Sequence, residues 1–232
     1  MLSVRYIGHS AVWLSDGSTS VIIDPFISGN PVAKVGLETT SHHGLSEAVH
    51  ADIILVTHAH GDHWGDSVAL SKKGGTLFSN FEISTYSERQ GAKVVAMNIG
   101  GSYKFAGGTI QWFPAWHSSS FPDGTYGGMP MGVFLEFAGK RIYHAGDSAL
   151  FSDMRLVGER GLDLAFVPIG DHFTMGPEDA LKALELLKPK RAVPIHYNTF
   201  PPIKQDGQAF ARRAQSMGID SKAMTPGELW EI

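Results

Sequence analysis

Residues 56–66 read VTHAHGDHWGD, and His58, His60, Asp62 and His63 fall within six consecutive positions of it, directly after the apolar run Ile53, Ile54, Leu55, Val56. Imidazole nitrogen and carboxylate oxygen both suit zinc, iron, nickel or manganese, so these four side chains could hold one ion or begin a site for two. The spacing favours two. His58 and His60 are two apart and point the same way on an extended segment, where they can grip one ion together. Asp62 and His63 are adjacent, and a turn at Gly61 would let them aim at a second ion from the start of the next helix. Three imidazoles this close are rare without a metal.

Positioning such a cluster requires rigid strands behind it, and the chain supplies many. Short apolar, β-branched runs recur as VRYI, AVWL, SVIID, DIILVT, TLFS, KVVAM, IQWFPA, GVFLEF, RIYHA, LAFVPI and RAVPIH. Helix-like segments lie between some of them: GDSVALSKKGG, PEDALKALELLKP with Pro177 in its first turn and Pro189 beyond its end, and KQDGQAFARRAQSMG, which stops at Gly218. So many strands would make one open sheet unusually broad. The expectation is an α/β domain over residues 1–232, with two sheets face to face and helices outside.

Completing two half-sites needs further ligands at the ends of later strands. His117 follows IQWFPAW, Asp147 follows RIYHA, and His196 follows RAVP. Each comes straight after an apolar run, on a segment where loops from distant parts of a sheet edge converge.

The order Asp24 in IIDP, then HAHGDH, then His117, Asp147 and His196 resembles the five-motif pattern of the metallo-β-lactamase superfamily across nearly the whole chain. More narrowly, DPFISGNP, THAHGDH, YGGMPMG, HAGDS, GDHFTMGPEDA and PIHYNTFPPI resemble the UPF0173 metal-dependent hydrolases, related to the ascorbate-6-phosphate lactonase branch. The resemblance implies an αββα sandwich of two mixed β-sheets flanked by helices. It also implies His58, His60 and His117 on one divalent ion, Asp62, His63 and His196 on another, and Asp147 bridging both. Zinc is the first expectation for the pair, with nickel or manganese as alternatives. Two ions about 3.5 to 4 Å apart can share a water, lower its pKa towards about 7 and so present a bridging hydroxide to an ester, lactone, amide or phosphodiester. An anionic Asp147 would offset part of the charge of the two cations.

Other polar residues have weaker grounds. Asp24 either braces a ligating imidazole or forms a turn before Pro25. His172, with Thr174 in GDHFTMG, is the best remaining imidazole to protonate a leaving group, or else it packs on Phe173. His9 contacts the site or sits at the core edge, His144 should alternate away from the site, and His42, His43 and His50 read as surface.

Composition bounds the rest. The 232 residues are 43% hydrophobic and contain no cysteine, so metal ligands must come from His, Asp or Glu. A formal charge of -4 with scattered basic residues argues against nucleic acid as a partner. No window approaches the roughly 20 apolar residues of a membrane span, and the start lacks a leader pattern, so a cytoplasmic protein acting on a small molecule is expected, with homo-oligomerisation left open. An alternative on the same fold is a mononuclear iron oxidoreductase of the persulfide dioxygenase type, and a non-catalytic metal binder is a third. Residues 148–195 between Asp147 and His196 leave no room for a large inserted domain, so the substrate should be recognised by PAWHSSSFPDGTYGGMPMG and GDHFTMGPEDA.

Overall fold

A computed structural model describes residues 1–34 and 49–232. The first sheet contains β1 (Ser3–Gly8), β2 (Ala11–Ser15), β3 (Ser20–Ile23), β4 (Ile53–Leu55), β5 (Thr76–Asn80) and β6 (Val94–Met97), with β14 (Leu229–Glu231) outside β1. The second runs β13-β12-β11-β10-β9-β8-β7 and is built from β7 (Ser102–Phe105), β8 (Gly108–Pro114), β9 (Met131–Phe137), β10 (Lys140–His144), β11 (Leu164–Pro168), β12 (Arg191–Ile195) and β13 (Asp220–Ser221). Each sheet is antiparallel on one side and parallel on the other. The change comes at β3 in the first sheet and at β10 in the second.

The central parallel strands β4 and β11 are apolar and buried at every position because both of their faces are covered. Ile53 and Leu55 point into the core between the sheets while Ile54 points out under the helices, and β11 alternates likewise, with Leu164 and Phe166 inward and Ala165 and Val167 outward. The inter-sheet core joins Val4, Leu14, Ile23 and Phe78 to Trp112, Leu135, Phe166 and Val193. Truncating fully buried Phe166 to Ala should cost about 3 to 5 kcal/mol.

Helices cover the outer faces. The second sheet is capped by α4 (Met154–Gly158), α5 (Pro177–Leu187) and α6 (Gly207–Ser216), which bury Met154, Leu184, Leu187, Phe210 and Ala214. On the first sheet, α2 (Ser67–Lys72) contributes Leu70 and α3 (Phe81–Glu88) contributes Ile83. Pro177 opens α5 as its position predicted. The helix expected over GDSVALSKKGG is α2, and a separate single turn, α1 (Gly61–Trp64), precedes it. The break falls at Gly65, whose φ is +38°. A Cβ there would lie 2.5 Å from Pro25 O and 2.8 Å from Phe26 Cα, so only glycine lets the histidine-bearing turn press this closely against the segment after β3.

The consequence for function is directional. Asp24 follows β3, residues 58–63 follow β4, Asp147 follows β10 and His196 follows β12, so all emerge at the carboxyl ends of strands, the edge where open α/β sheets gather ligands. His117 joins them from the end of β8.

Candidate metal centre

Three segments of the chain converge on one carboxylate. The Nε2 atoms of His196, His63, His117 and His58 lie 3.0, 3.3, 3.6 and 3.9 Å from Asp147 Oδ2. Around it the ligating atoms form overlapping groups: His58, His60 and His117; His58, His63 and Asp147; and His9, Asp62, His63 and His196. The structure thus brings together all seven residues expected to bind metal. His58, His63, Asp147 and His196 form a buried floor. The cluster opens onto a cavity of about 370 Å³ whose wall adds Ser118 and Phe173 to five of the seven.

Outer contacts fix which ring nitrogens face inward. Asp24 is an acceptor and fully buried, so His63 Nδ1 donates to its Oδ2 at 2.7 Å, which leaves His63 Nε2 facing Asp147. Thr57 donates its hydroxyl to the same Oδ2, also at 2.7 Å, and can then only accept from His58 Nδ1 at 3.0 Å, leaving His58 Nε2 inward. The Thr57 amide donates to Asp24 Oδ1 at 2.8 Å. One carboxylate therefore sets the tautomer of a histidine in two of the groups, directly for His63 and through a hydroxyl for His58. The brace, rather than a turn before Pro25, is what Asp24 provides.

His9 plays a similar part under Asp62. Burial pushes its pKa down to about 4, so it is neutral; its Nε2 donates to Asp62 Oδ2 at 3.0 Å and its Nδ1 accepts from Thr199 Oγ1 at 2.8 Å. Its ring packs against His196, with centroids 4.1 Å apart, and against Phe26 and Phe200. The backbone is strained to hold this: His9, Asp24 and His196 have φ of +59°, +48° and +54°, a conformation that costs of order 1 to 3 kcal/mol for a non-glycine residue. The His196 amide donates to His9 O at 2.8 Å, locking two of the three together across the sheets.

The electrostatics suit a cation. Burial holds His58 well below the usual histidine range and lowers His60 and His117 as well, so their rings are neutral and carry lone pairs. Burial works against the charges on Asp147 and Asp62 but is outweighed, for Asp147 by His196 and His63 and for Asp62 by the His9 hydrogen bond, and both carboxyls fall below their ordinary range. Burial likewise opposes a charge on His63, yet Asp147 and Asp24 outweigh it and raise that pKa; a field that favours a proton there favours a metal cation. Asp147 Oδ1 and His63 Nε2 are buried without a hydrogen-bond partner among the described residues. Buried polar atoms left unsatisfied are costly, and convergent imidazole and carboxylate donors without any thiolate are the set that divalent zinc, manganese, nickel or iron uses. The residues fit a metal centre.

The remaining histidines separate. His144 is buried at the end of β10, bonded to Ser10 O at 3.0 Å and accepting from the Gly146 amide, away from the cluster. His50 is exposed beside Asp52, and His42 and His43 lie outside the described residues. His172 stands exposed on the turn after β11, its ring 4.5 Å from that of Phe173, and it is Phe173, not His172, that lines the cavity. Sequence reasoning passed over Thr57 and Thr199. Their only signal was a small hydroxyl residue one position before His58 and three after His196.

Comparison with known proteins agrees with this geometry. The profile of the beta-lactamase superfamily domain matches residues 19–197. A UPF0173 metal-dependent hydrolase of Thermus thermophilus is 69% identical over 232 residues, all of both chains, and one of Deinococcus radiodurans is 48% identical, again over the full length of both. Among solved structures, Igni18, described as a novel metallo hydrolase from the hyperthermophilic archaeon Ignicoccus hospitalis, superposes with a TM-score of 0.87 at 38% identity, covering 100% of this chain and 99% of that one.

Proposed function

Because the chain belongs to the UPF0173 metal-dependent hydrolase family of the β-lactamase superfamily, we propose that it is a binuclear metal hydrolase acting on an ester, lactone, amide or phosphodiester of a small molecule. His58, His60 and His117 would hold one divalent ion, Asp62, His63 and His196 the other, and Asp147 would span both, with zinc, nickel or manganese as the metal. The observation that carries this is the approach of four Nε2 atoms from three segments to a single buried oxygen, Asp147 Oδ2. When bound, such ions act as Lewis acids and lower the pKa of coordinated water.

The chain's own residues do the rest. Asp24 holds the inward nitrogens of His63 and, through Thr57, of His58 as acceptor-only lone pairs. His9 fixes the Asp62 carboxylate by donating to one oxygen, which leaves the other available. Asp147 contributes buried negative charge at the centre of the cluster, so two cations can lie close together with less repulsion. Phe173 and Ser118 frame the entrance, and among the described residues that line it there is no lysine or arginine, which supports a small molecule rather than a nucleic acid as substrate. The mononuclear iron alternative would leave Asp62, His63 and His196 without a task, although two separate segments are braced to bring them together.

Protein purified without chelator tests the proposal through its metal content and its hydrolysis of an activated ester and an activated phosphodiester. Up to two divalent ions per chain are expected, with slow turnover that chelator abolishes and added metal restores. A stoichiometry that stays at one iron per chain, with oxygen consumption, would replace the hydrolase by the oxidoreductase.

A further inference from the structure

Next to the metal cavity lies a second and larger one of about 700 Å³, and the two share His117 and Ser118. Its walls come from the segment after β8 and the approach to β9, and Phe151 also lines it. Among the described residues ten large hydrophobic side chains stand exposed, and four of them gather here: Trp116 at 66%, Tyr126 at 63% and Met129 at 58% exposure line this cavity, while Phe173 at 54% lines the metal cavity beside it. Exposed apolar side chains scattered singly need no explanation, but a cluster at the mouth of a reactive centre does. The charge pattern is equally one-sided. Among the described residues neither lining contains a lysine or arginine, and exposed Asp153 is the one carboxylate of the second cavity.

We propose that this cavity takes an uncharged, apolar part of the substrate, an aromatic ring or a medium-length alkyl group attached next to the scissile carbonyl, so that the preferred substrates are neutral esters, lactones or amides and not molecules bearing a phosphate or carboxylate on that side. The proposal rests on the hydrolase reading and narrows it. Continuity through His117 and Ser118 is the geometric argument: a carbonyl at the cluster leaves its substituent facing Trp116, Tyr126, Met129 and Phe151. Apolar contact then supplies affinity, while Asp153 and the absence of cations disfavour an anionic tail. The backbone beneath is rigid. Ser119 Oγ accepts from the Ala59 amide at 3.1 Å and donates to Gly127 O, and Asn80 Nδ2 donates to Gly127 O at 2.8 Å, so both walls are tied to the ligand loop and to β5.

Ketones test the pocket without requiring turnover, because they present a carbonyl with no bond to hydrolyse. Calorimetry on the metal-loaded full chain would compare octan-2-one with butan-2-one and with 7-oxooctanoate, which adds a terminal carboxylate to the longer chain. Octan-2-one should bind at least about tenfold tighter than butan-2-one, since each buried methylene adds to transfer free energy, and 7-oxooctanoate should lose most of that gain. Met129→Glu, at an exposed position where folding is not at stake, should abolish the dependence on chain length while metal content stays at the parent level. Equal binding of the two ketones, or unimpaired binding of 7-oxooctanoate, would overturn the proposal. So would a concentration-dependent dimer that Met129→Glu disrupts in the absence of any chain-length effect, which would assign the patch to a second copy of the chain. Binding that follows the expected pattern in a protein that hydrolyses no ester would fault the hydrolase reading and leave the pocket standing.

Discussion

The two halves of the cluster are built with unequal support. On one side, Asp62 and His63 are held by groups that are themselves buried, Asp24 and His9, at 2.7 and 3.0 Å. On the other, His58 leans on a neutral hydroxyl at 3.0 Å, and the outer nitrogen of half-exposed His60 meets only exposed Ser118 at 3.4 Å. A hydrogen bond to a charged partner is roughly twice as strong as one between neutral groups. The first half, the inner one, is therefore a rigid seat, whereas the outer half can adjust, and both contribute residues to the cavity wall. The difference follows from the charge of the partners, a carboxylate in each hydrogen bond on one side and neutral hydroxyls on the other.

The largest effect should come from removing what the halves share. Asp147→Asn keeps the shape but takes the negative charge from the centre, and its amide would face the Nε2 of His63 and His196. Activity should fall by more than the 10- to 100-fold that loss of an outer partner typically costs, with metal content dropping in both halves. Metal analysis beside a melting curve checks this, because the fold should survive; undiminished stoichiometry would mean that Asp147 holds neither ion.

Asp24→Asn against Thr57→Val sharpens the contrast. Asparagine tolerates the left-handed backbone at this position, so the variant tests charge rather than strain. Losing the carboxylate should weaken metal affinity of the inner half by about 10- to 100-fold, and that of the outer half by less. Thr57→Val should reverse the order and cost less overall, since it removes a neutral link to His58 while the Thr57 amide still holds Asp24. Competition titrations with a chromogenic chelator would read both affinities. Equal losses in both variants would erase the distinction between the halves.

That distinction was only partly visible in the residue order. The cluster 58–63 was legible because its four donors are contiguous, and His117, Asp147 and His196 because each follows an apolar run that became β8, β10 or β12. Two sheets packed face to face were legible from the number of such runs, and their mixed pairing only through the family resemblance. What escaped lacked a periodic signal. Residues 81–88 form α3 although Phe81 is exposed and only Ile83 among its large apolar side chains is fully buried, so no amphipathic stripe marks it. The edge strands β7, β13 and β14 are short and mostly polar or exposed, and are recruited by pairing with neighbours that already exist. Thr57 and Thr199 act through tertiary contact, to Asp24 one strand away and to His9 across the chain, which no local pattern records.

His9→Asn should have a smaller effect. Asparagine again suits the positive φ but cannot reach Asp62 as Nε2 does, and it vacates the space between Phe26 and Phe200. Metal affinity of the inner half should fall by about tenfold, the low end of the range for a lost outer partner. The melting temperature should also drop, because a buried ring is lost. If the affinity is unchanged while stability falls, His9 supports packing and not Asp62.

The smallest effect is expected at His172, and it tests whether the rim contributes a proton at all. A group that protonates the leaving atom is worth about 10² to 10⁴ in rate and must come within hydrogen-bond reach of it. His172 is exposed, stacks edge-on against Phe173 and does not border the metal cavity. The turn that carries it is closed by backbone bonds, from the Thr174 amide to Asp171 O at 2.7 Å and from the Asp171 amide to Met175 O at 3.1 Å, so carrying the ring inward means breaking that turn. Its contact with Phe173 instead positions an apolar wall, and loss of such a contact acts on substrate binding more than on the chemical step. His172→Ala should therefore raise KM by a few-fold, within about 1 kcal/mol, and leave kcat and metal content near the parent values. Measuring both constants with a good and a poor leaving group separates the roles. A kcat loss of about 100-fold confined to the poor leaving group would show that the turn opens during catalysis and that His172 is the acid.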